Sequence, residues 1–176
     1  EKNSCSQHAN ALALLTGMVN DTEKLAFSQR LVADSNNLTQ CNIYFKYYLH
    51  QALVKGGLGD SYMNWLGYWR SNMAMGLTTW AEVADLENTR SDCHGWGASP
   101  NIEFFRTILG IDSDAPGFTK IKITPHLGTL TRASGEVPHP NGKISVSYVL
   151  KNGKWKIGVY LPANTTGSLD WKGTTY

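Results

Sequence analysis

Apolar residues recur at intervals of three and four along roughly the first hundred positions and at every second position towards the end, so the chain changes period part-way. Ala9, Leu12, Ala13, Leu15 and Val19 mark a first helix over Ser4 to Val19, with Ser4 as its N-cap and Gln7 three residues on, as in a capping box. A second helix starts near Asp21-Thr22, buries Leu25, Phe27 and the Leu31-Val32 pair, and stops before the polar run Asp34-Ser35-Asn36-Asn37. Ile43 to Val54 reads as an aromatic-rich third helix closed by Gly56-Gly57. The fourth runs from Asp60 as N-cap through Tyr62, Trp65, Leu66, Trp69 and Met73 to a stop at Gly76. Pro100 opens a fifth over Asn101 to Leu109, ended by Gly110.

Beyond Pro116-Gly117 the alternation becomes strand-like. Ile121 and Ile123 alternate with lysines, Ile144, Val146, Tyr148 and Leu150 with small polar residues, and Trp155, Ile157, Val159 and Leu161 follow the same rule. The turn Lys151-Asn152-Gly153-Lys154 between the last two runs carries the Asn-Gly pair of a tight hairpin. The expected architecture is therefore α+β: a helical part over 1–113 and an antiparallel β part over 114–176, joined near Asp112 to Gly117. Paired helices with brief turns, interrupted by long loops, fit a toroid of helical hairpins seen in part.

One of those loops holds most of the candidate chemistry. Met75 to Pro100, MGLTTWAEVADLENTRSDCHGWGASP, has no clear period, yet it gathers Glu82, Asp85, Glu87, Asp92, Arg90, Cys93 and His94 between Trp80 and Trp96. Loops of this length are uncommon in compact domains unless they carry function. On loop context alone Glu82 reads as a solvated carboxylate and His94 as a structural histidine.

Composition narrows the field. With 176 residues, 41% hydrophobic and 17% charged, the chain can bury a core, and a formal net charge of +2 without runs gives no reason to expect nucleic acid or a membrane surface as partner. Cys5, Cys41 and Cys93 are far apart and lack metal-ligand spacing, so they are expected to be isolated buried or half-buried thiols; no metal and no cofactor is called for. No run reaches the apolar length of a membrane span, and Glu1 to Gln7 does not look like a signal peptide. A helix starting almost at residue 1 and a strand stopping at Tyr176 point to an excised piece of something longer. Compartment stays open between periplasmic, secreted and cytoplasmic.

Several segments, taken in order, resemble the C-terminal part of a family 78 glycoside hydrolase, the α-L-rhamnosidases. Gln7-His8-Ala9-Asn10-Ala11-Leu12-Ala13-Leu14 is similar to a helix of that family, and Met75-Gly76-Leu77-Thr78-Thr79-Trp80-Ala81-Glu82 to its Gly-Ala-Thr-Thr-x-x-Glu element. Ser91-Asp92-Cys93-His94-Gly95-Trp96-Gly97-Ala98-Ser99-Pro100 resembles the His-containing element before its last barrel helix, and Gly135-Glu136-Val137-Pro138 onward its β-sandwich. The resemblance implies the last hairpins of an (α/α)6 barrel followed by a truncated sandwich. It further implies an inverting hydrolysis of terminal α-L-rhamnosides by two carboxyl groups, with Glu82 as general base and the general acid upstream of this chain. This piece alone would then be inactive.

The same resemblance makes His94 a hydrogen-bond partner of a sugar hydroxyl and gives Trp96, and after it Trp80, the task of covering the apolar face of a deoxysugar. Asp85, Glu87 and Asp92 receive no role, and Arg90 and Asp92 are expected to pair with each other or to cap the following turn. Trp65 and Trp69, four apart, read as core, while His126 and His139 are assigned nothing. Asn20, Asn37 and Asn164 stand in Asn-x-Thr triplets, which matter only in a eukaryotic secretory setting. Two other readings remain: a non-catalytic carbohydrate-binding or scaffold module, and an (α/α)6 hydrolase or phosphorylase for another sugar. The expected partner is a rhamnose-containing glycan or glycoside, and bare helix faces imply self-association of the piece.

Overall fold

The computed structural model describes residues 4–33, 37–83, 85, 87 and 91–176, in two compact units, Glu1–Pro100 and Asn101–Tyr176. The first is helical. It contains α1 (Gln7–Thr16), α2 (Lys24–Ala33), α3 (Lys46–Leu53) and α4 (Gly67–Ala74), with a π turn at Val54–Leu58 and 3-10 turns at Gly59–Trp65 and Gly95–Ala98. α5 (Ser99–Glu103) runs across the boundary and continues as a π turn, Phe104–Ile108, into the second unit.

Local chemistry accounts for most ends, with small shifts from expectation. The N-cap of α1 is Ser6, not Ser4: its backbone is extended and its Oγ accepts from Ala9 N at 3.3 Å, while Gln7 turns inward and accepts from Cys41 N at 3.0 Å. Gly17, at φ 79°, ends this helix in the left-handed conformation that glycine adopts without a Cβ clash. α2 buries Leu31 but leaves Leu25 and Val32 exposed. The third expected helix shortens to α3, and the fourth splits at Leu66, its first part being the 3-10 turn with Leu58, not Asp60, at the N-cap position. The helical core gathers Ala11 and Leu14 of α1, Leu31 of α2, and Leu49, Ala52 and Leu53 of α3 around Cys41. Cys41 is thus a core thiol, whereas Cys5 and Cys93 are exposed rather than half-buried. Beside the core, His50 meets the rings of Tyr62, Trp65 and Trp69 at centroid distances of 5.5, 5.4 and 5.7 Å.

The second unit holds two sheets. One has the order β1 (Ile111–Ser113), β2 (Lys120–Ile123), β6 (Thr166–Trp171), β7 (Thr174–Thr175), and the other is β3 (Arg132–His139), β4 (Gly142–Lys151), β5 (Lys154–Tyr160). The alternation in β4 buries Ile144, Val146 and Tyr148, and the β4–β5 turn has Asn152 and Gly153 both at positive φ, 51° and 73°, as the Asn-Gly pair requires. Pro138 is tolerated because β3 is an edge strand. The wholly antiparallel expectation needs correction: β2 pairs with β6 in parallel, so the four-stranded sheet is mixed. Adjacent hairpins must be antiparallel, but β2 and β6 are joined through the whole of the other sheet, and a long crossover permits either direction.

Tyr148 stacks on Trp171 of the other sheet at 5.9 Å, and its buried hydroxyl donates to Leu109 O at 2.8 Å. Burial pushes this phenol far up from its usual range. Together with His126 N donating to Thr107 O at 3.0 Å, it fastens the last helical turns to the strands. Gly110, at φ 78°, has no room for a side chain: a Cβ there would lie 2.3 Å from Pro125 N. The buried Glu103 carboxylate is held by Arg106 and by Thr107 Oγ1 at 2.6 Å.

Candidate functional site

Within the aperiodic loop of the helical unit, backbone hydrogen bonds join two of its described stretches. Glu82 N donates to Ser91 O at 2.8 Å, His94 N donates to Trp80 O at 2.8 Å, and Thr79 Oγ1 donates to Asp92 O. These bonds lay 79–82 and 91–94 side by side in opposite directions, although up to fourteen positions separate the bonded residues (Trp80 to His94). Part of what reads as an overlong connection is thus two strips closed on each other.

α4 holds the first strip from beneath. Asn72, 1% exposed, accepts from Ala81 N at 3.0 Å through Oδ1 and donates to Tyr68 O at 3.2 Å through Nδ2. The Tyr68 hydroxyl lies 2.6 Å from Ala81 O and 3.1 Å from Val83 O, and burial raises its pKa. Trp69 of the same helix donates from Nε1 to Gly97 O at 2.6 Å, and Gly97 N donates to His94 O at 2.9 Å. A Cβ at Gly97 would come within 2.9 Å of Trp80 Cβ, so the second strip approaches Trp80 only because this position is glycine. One turn and a half of helix therefore fixes both strips.

The four residues singled out from sequence fall as follows. Glu82, His94 and Trp80 are half-buried on adjoining strips, while Trp96 is 65% exposed. The Trp96 ring meets His94 edge-on at 6.0 Å and lies 4.5 Å from Tyr44, tilted by 33°. Tyr44 in turn meets Tyr48 at 6.0 Å, and the Tyr44 hydroxyl is the main reason the Tyr48 phenol titrates above its usual range. Sequence reasoning missed Tyr44, Tyr68 and Asn72. Asn72 could have been found as a polar residue three after Trp69 on the buried side of a helix; Tyr44 had no signal, since nothing local ties it to Trp96.

Of the other candidates, Asp85 and Glu87 are exposed and share a turn, Glu87 N donating to Asp85 Oδ1 at 3.1 Å. The expected pairing of Asp92 falls on Arg90, outside the described residues. The His139 ring is within 3.1 Å of Phe118 O and accepts from Asn141 N at 3.1 Å, which makes it a brace of the β3–β4 turn. Among the described residues no cluster of three or more His, Cys, Asp or Glu could hold a metal ion, and no helix is long and apolar enough to cross a membrane.

Comparison with known proteins adds a likeness. The bacterial alpha-L-rhamnosidase C-terminal domain family matches residues 110–175. The alpha-L-rhamnosidase of Alteromonas sp. (strain LOR) is 37% identical over 62 residues, 35% of this chain and 7% of that protein. Beyond that segment, the crystal structure of a GH78 family rhamnosidase of Bacillus sp. GL1 superimposes on 96% of this chain with a TM-score of 0.80 and 25% identity. The chain resembles the C-terminal part of a family 78 α-L-rhamnosidase. A second such rhamnosidase, that of Streptomyces avermitilis complexed with L-rhamnose, has the same fold over 93% of the chain, with a TM-score of 0.78 and 23% identity. The chain spans 20% and 18% of the two rhamnosidase structures, so most of each has no counterpart here. The rhamnosidase likeness covers both units, the β-sandwich and the helices that carry the two strips.

Proposed function

We propose that this chain is the part of an inverting α-L-rhamnosidase that supplies the general base, Glu82, while the general acid comes from a part of the protein outside this chain. Residues 1–113 are read as the last hairpins of an (α/α)6 catalytic barrel and 114–176 as the β-sandwich that follows. The observation that carries the reading is the closure of the two strips, which places the Glu82 segment against the His94 segment on a support made by Tyr68 and Asn72. A base must be a carboxylate held at a fixed place within reach of one water, and inversion requires about 6.5–9.5 Å between the two carboxyl groups to admit that water. The bond from Glu82 N to Ser91 O, which fixes the backbone from which that carboxylate extends, supports the first demand. His94 would bond a sugar hydroxyl, and Trp96 against Tyr44, and after it Trp80, would cover the C–H face and methyl group of a rhamnoside.

The test is turnover of aryl rhamnosides by the full-length Glu82→Gln protein across leaving groups. The amide keeps shape but cannot take the proton, so turnover should fall by about two to four orders of magnitude for good and poor leaving groups alike, with binding little changed. Near-normal turnover, or a defect confined to poor leaving groups, would remove the base role. The exposed Trp96 ring, backed by half-buried Tyr44, favours a second reading, a carbohydrate-binding module, since stacking on a sugar needs no carboxylate. Retained turnover in Glu82→Gln with rhamnoside binding lost in Trp96→Ala would support that alternative.

A further inference from the structure

The outer face of the three-stranded sheet has a composition that sheet packing does not explain. Strand register sets Ser134, Ser147 and Gly158 in one cross-strand row and Glu136, Ser145 and Tyr160 in the next. All six line one open trough of about 420 Å³. Its floor depends on Gly158, where a Cβ would lie 2.7 Å from Ser147 Oγ, and its wall is Tyr160, 59% exposed. Ile144, Val146 and Tyr148, the buried residues of β4, point to the other face, so the trough is not an unfilled core position.

The charges on this face are one-sided. The next row places Arg132 and Lys156 on either side of Val149, and the hairpin end pairs Lys151 with Lys154. Glu136 is the single acidic residue in the three strands. It already binds Lys143 at 2.7 Å and Ser145 at 3.0 Å, which hold its carboxyl below the usual range. Four cations thus border a row of hydroxyls with no acid from these strands to answer them.

We propose that this face binds an acidic oligosaccharide of the uronate class. The Tyr160 ring takes a sugar C–H face, Ser134, Ser145 and Ser147 bond ring hydroxyls, and Arg132 with Lys156 meets a uronate carboxylate. A neutral sugar would leave the cations unused. Single-stranded nucleic acid needs several stacking rings along a basic track, and this face offers one ring.

The experiment is a titration of the isotope-labelled full chain with trigalacturonate, followed by amide shifts, with its methyl ester and an oligothymidylate as comparisons. Shifts should centre on Ser147, Gly158 and Tyr160, weaken as salt is raised, and be much smaller with the ester. Tyr160→Ala should weaken binding by roughly fivefold or more, and paired Arg132→Ala and Lys156→Ala should weaken binding and lessen the salt dependence. Glu82→Gln should leave this binding unchanged, which separates it from the rhamnosidase reading. Absence of shifts, an equal response to the ester, a stronger response to the oligothymidylate, or unchanged binding in Tyr160→Ala would each overturn the proposal.

Discussion

Lowering the pH from 7 to 5 should destabilise the helical unit through one side chain, His50. Its ring is 2% exposed, its Nδ1 has no hydrogen-bond partner among the described residues, and it is enclosed by Tyr62, Trp65 and Trp69. Burial first, and the Lys46 ammonium one turn earlier second, push its pKa down to about 3 from an ordinary 6.5. In that window the unfolded chain binds a proton that the folded chain refuses, so stability is intact above pH 6.5 and drains as the pH falls towards 3. At pH 5, a unit and a half below the ordinary value, at about 1.4 kcal/mol per unit, the loss is about 2 kcal/mol, a sizeable part of a domain's stability. Urea midpoints followed by tryptophan fluorescence at pH 7 and pH 5 read it directly, because Trp65 and Trp69 flank the ring. His50→Phe and His50→Leu keep an apolar filling but bind no proton, so they should lose most of the pH dependence and cost little at pH 7, where an unpartnered nitrogen is removed. An unchanged acid sensitivity in both variants would refute the assignment to His50.

Asn72→Leu should leave the buried Ala81 N–H without its acceptor and cost about 1–3 kcal/mol, read as a lower urea midpoint and faster proteolysis within 77–94; an unaltered midpoint would mean that α4 does not pin the first strip. Tyr148→Phe removes the donor to Leu109 O and should cost about 1 kcal/mol, loosening the last helical turns, as hydrogen exchange at 104–109 would report. Isolated at micromolar concentration, the chain should self-associate through apolar side chains left in solvent, such as Met18 at 81% and Leu25 at 48% exposure, and a monodisperse monomer in light scattering would count against that.

The sequence by itself determined what depends on neighbours a few positions away. The change from helical to strand period, the Asn152-Gly153 hairpin, the glycine stops at Gly76 and Gly110, and the alternation that buries Ile144, Val146 and Tyr148 all follow from local backbone preference and side-chain spacing. Family motifs also marked Glu82, His94, Trp80 and Trp96 as residues to watch, though spacing alone made them a loose string. Tertiary structure decided the rest, because the partners are distant in the chain. Only folding shows that Trp80 meets His94, that Asn72 reaches Ala81, and that Tyr44 lies against Trp96 across 52 positions. The parallel pairing of β2 with β6 has no local signal either, since its ladder is closed after another sheet has intervened. His50 shows the division within one residue: its place on a helix is readable from sequence, but its neutrality comes from three rings and a lysine that close around it, and desolvation exists only once they have.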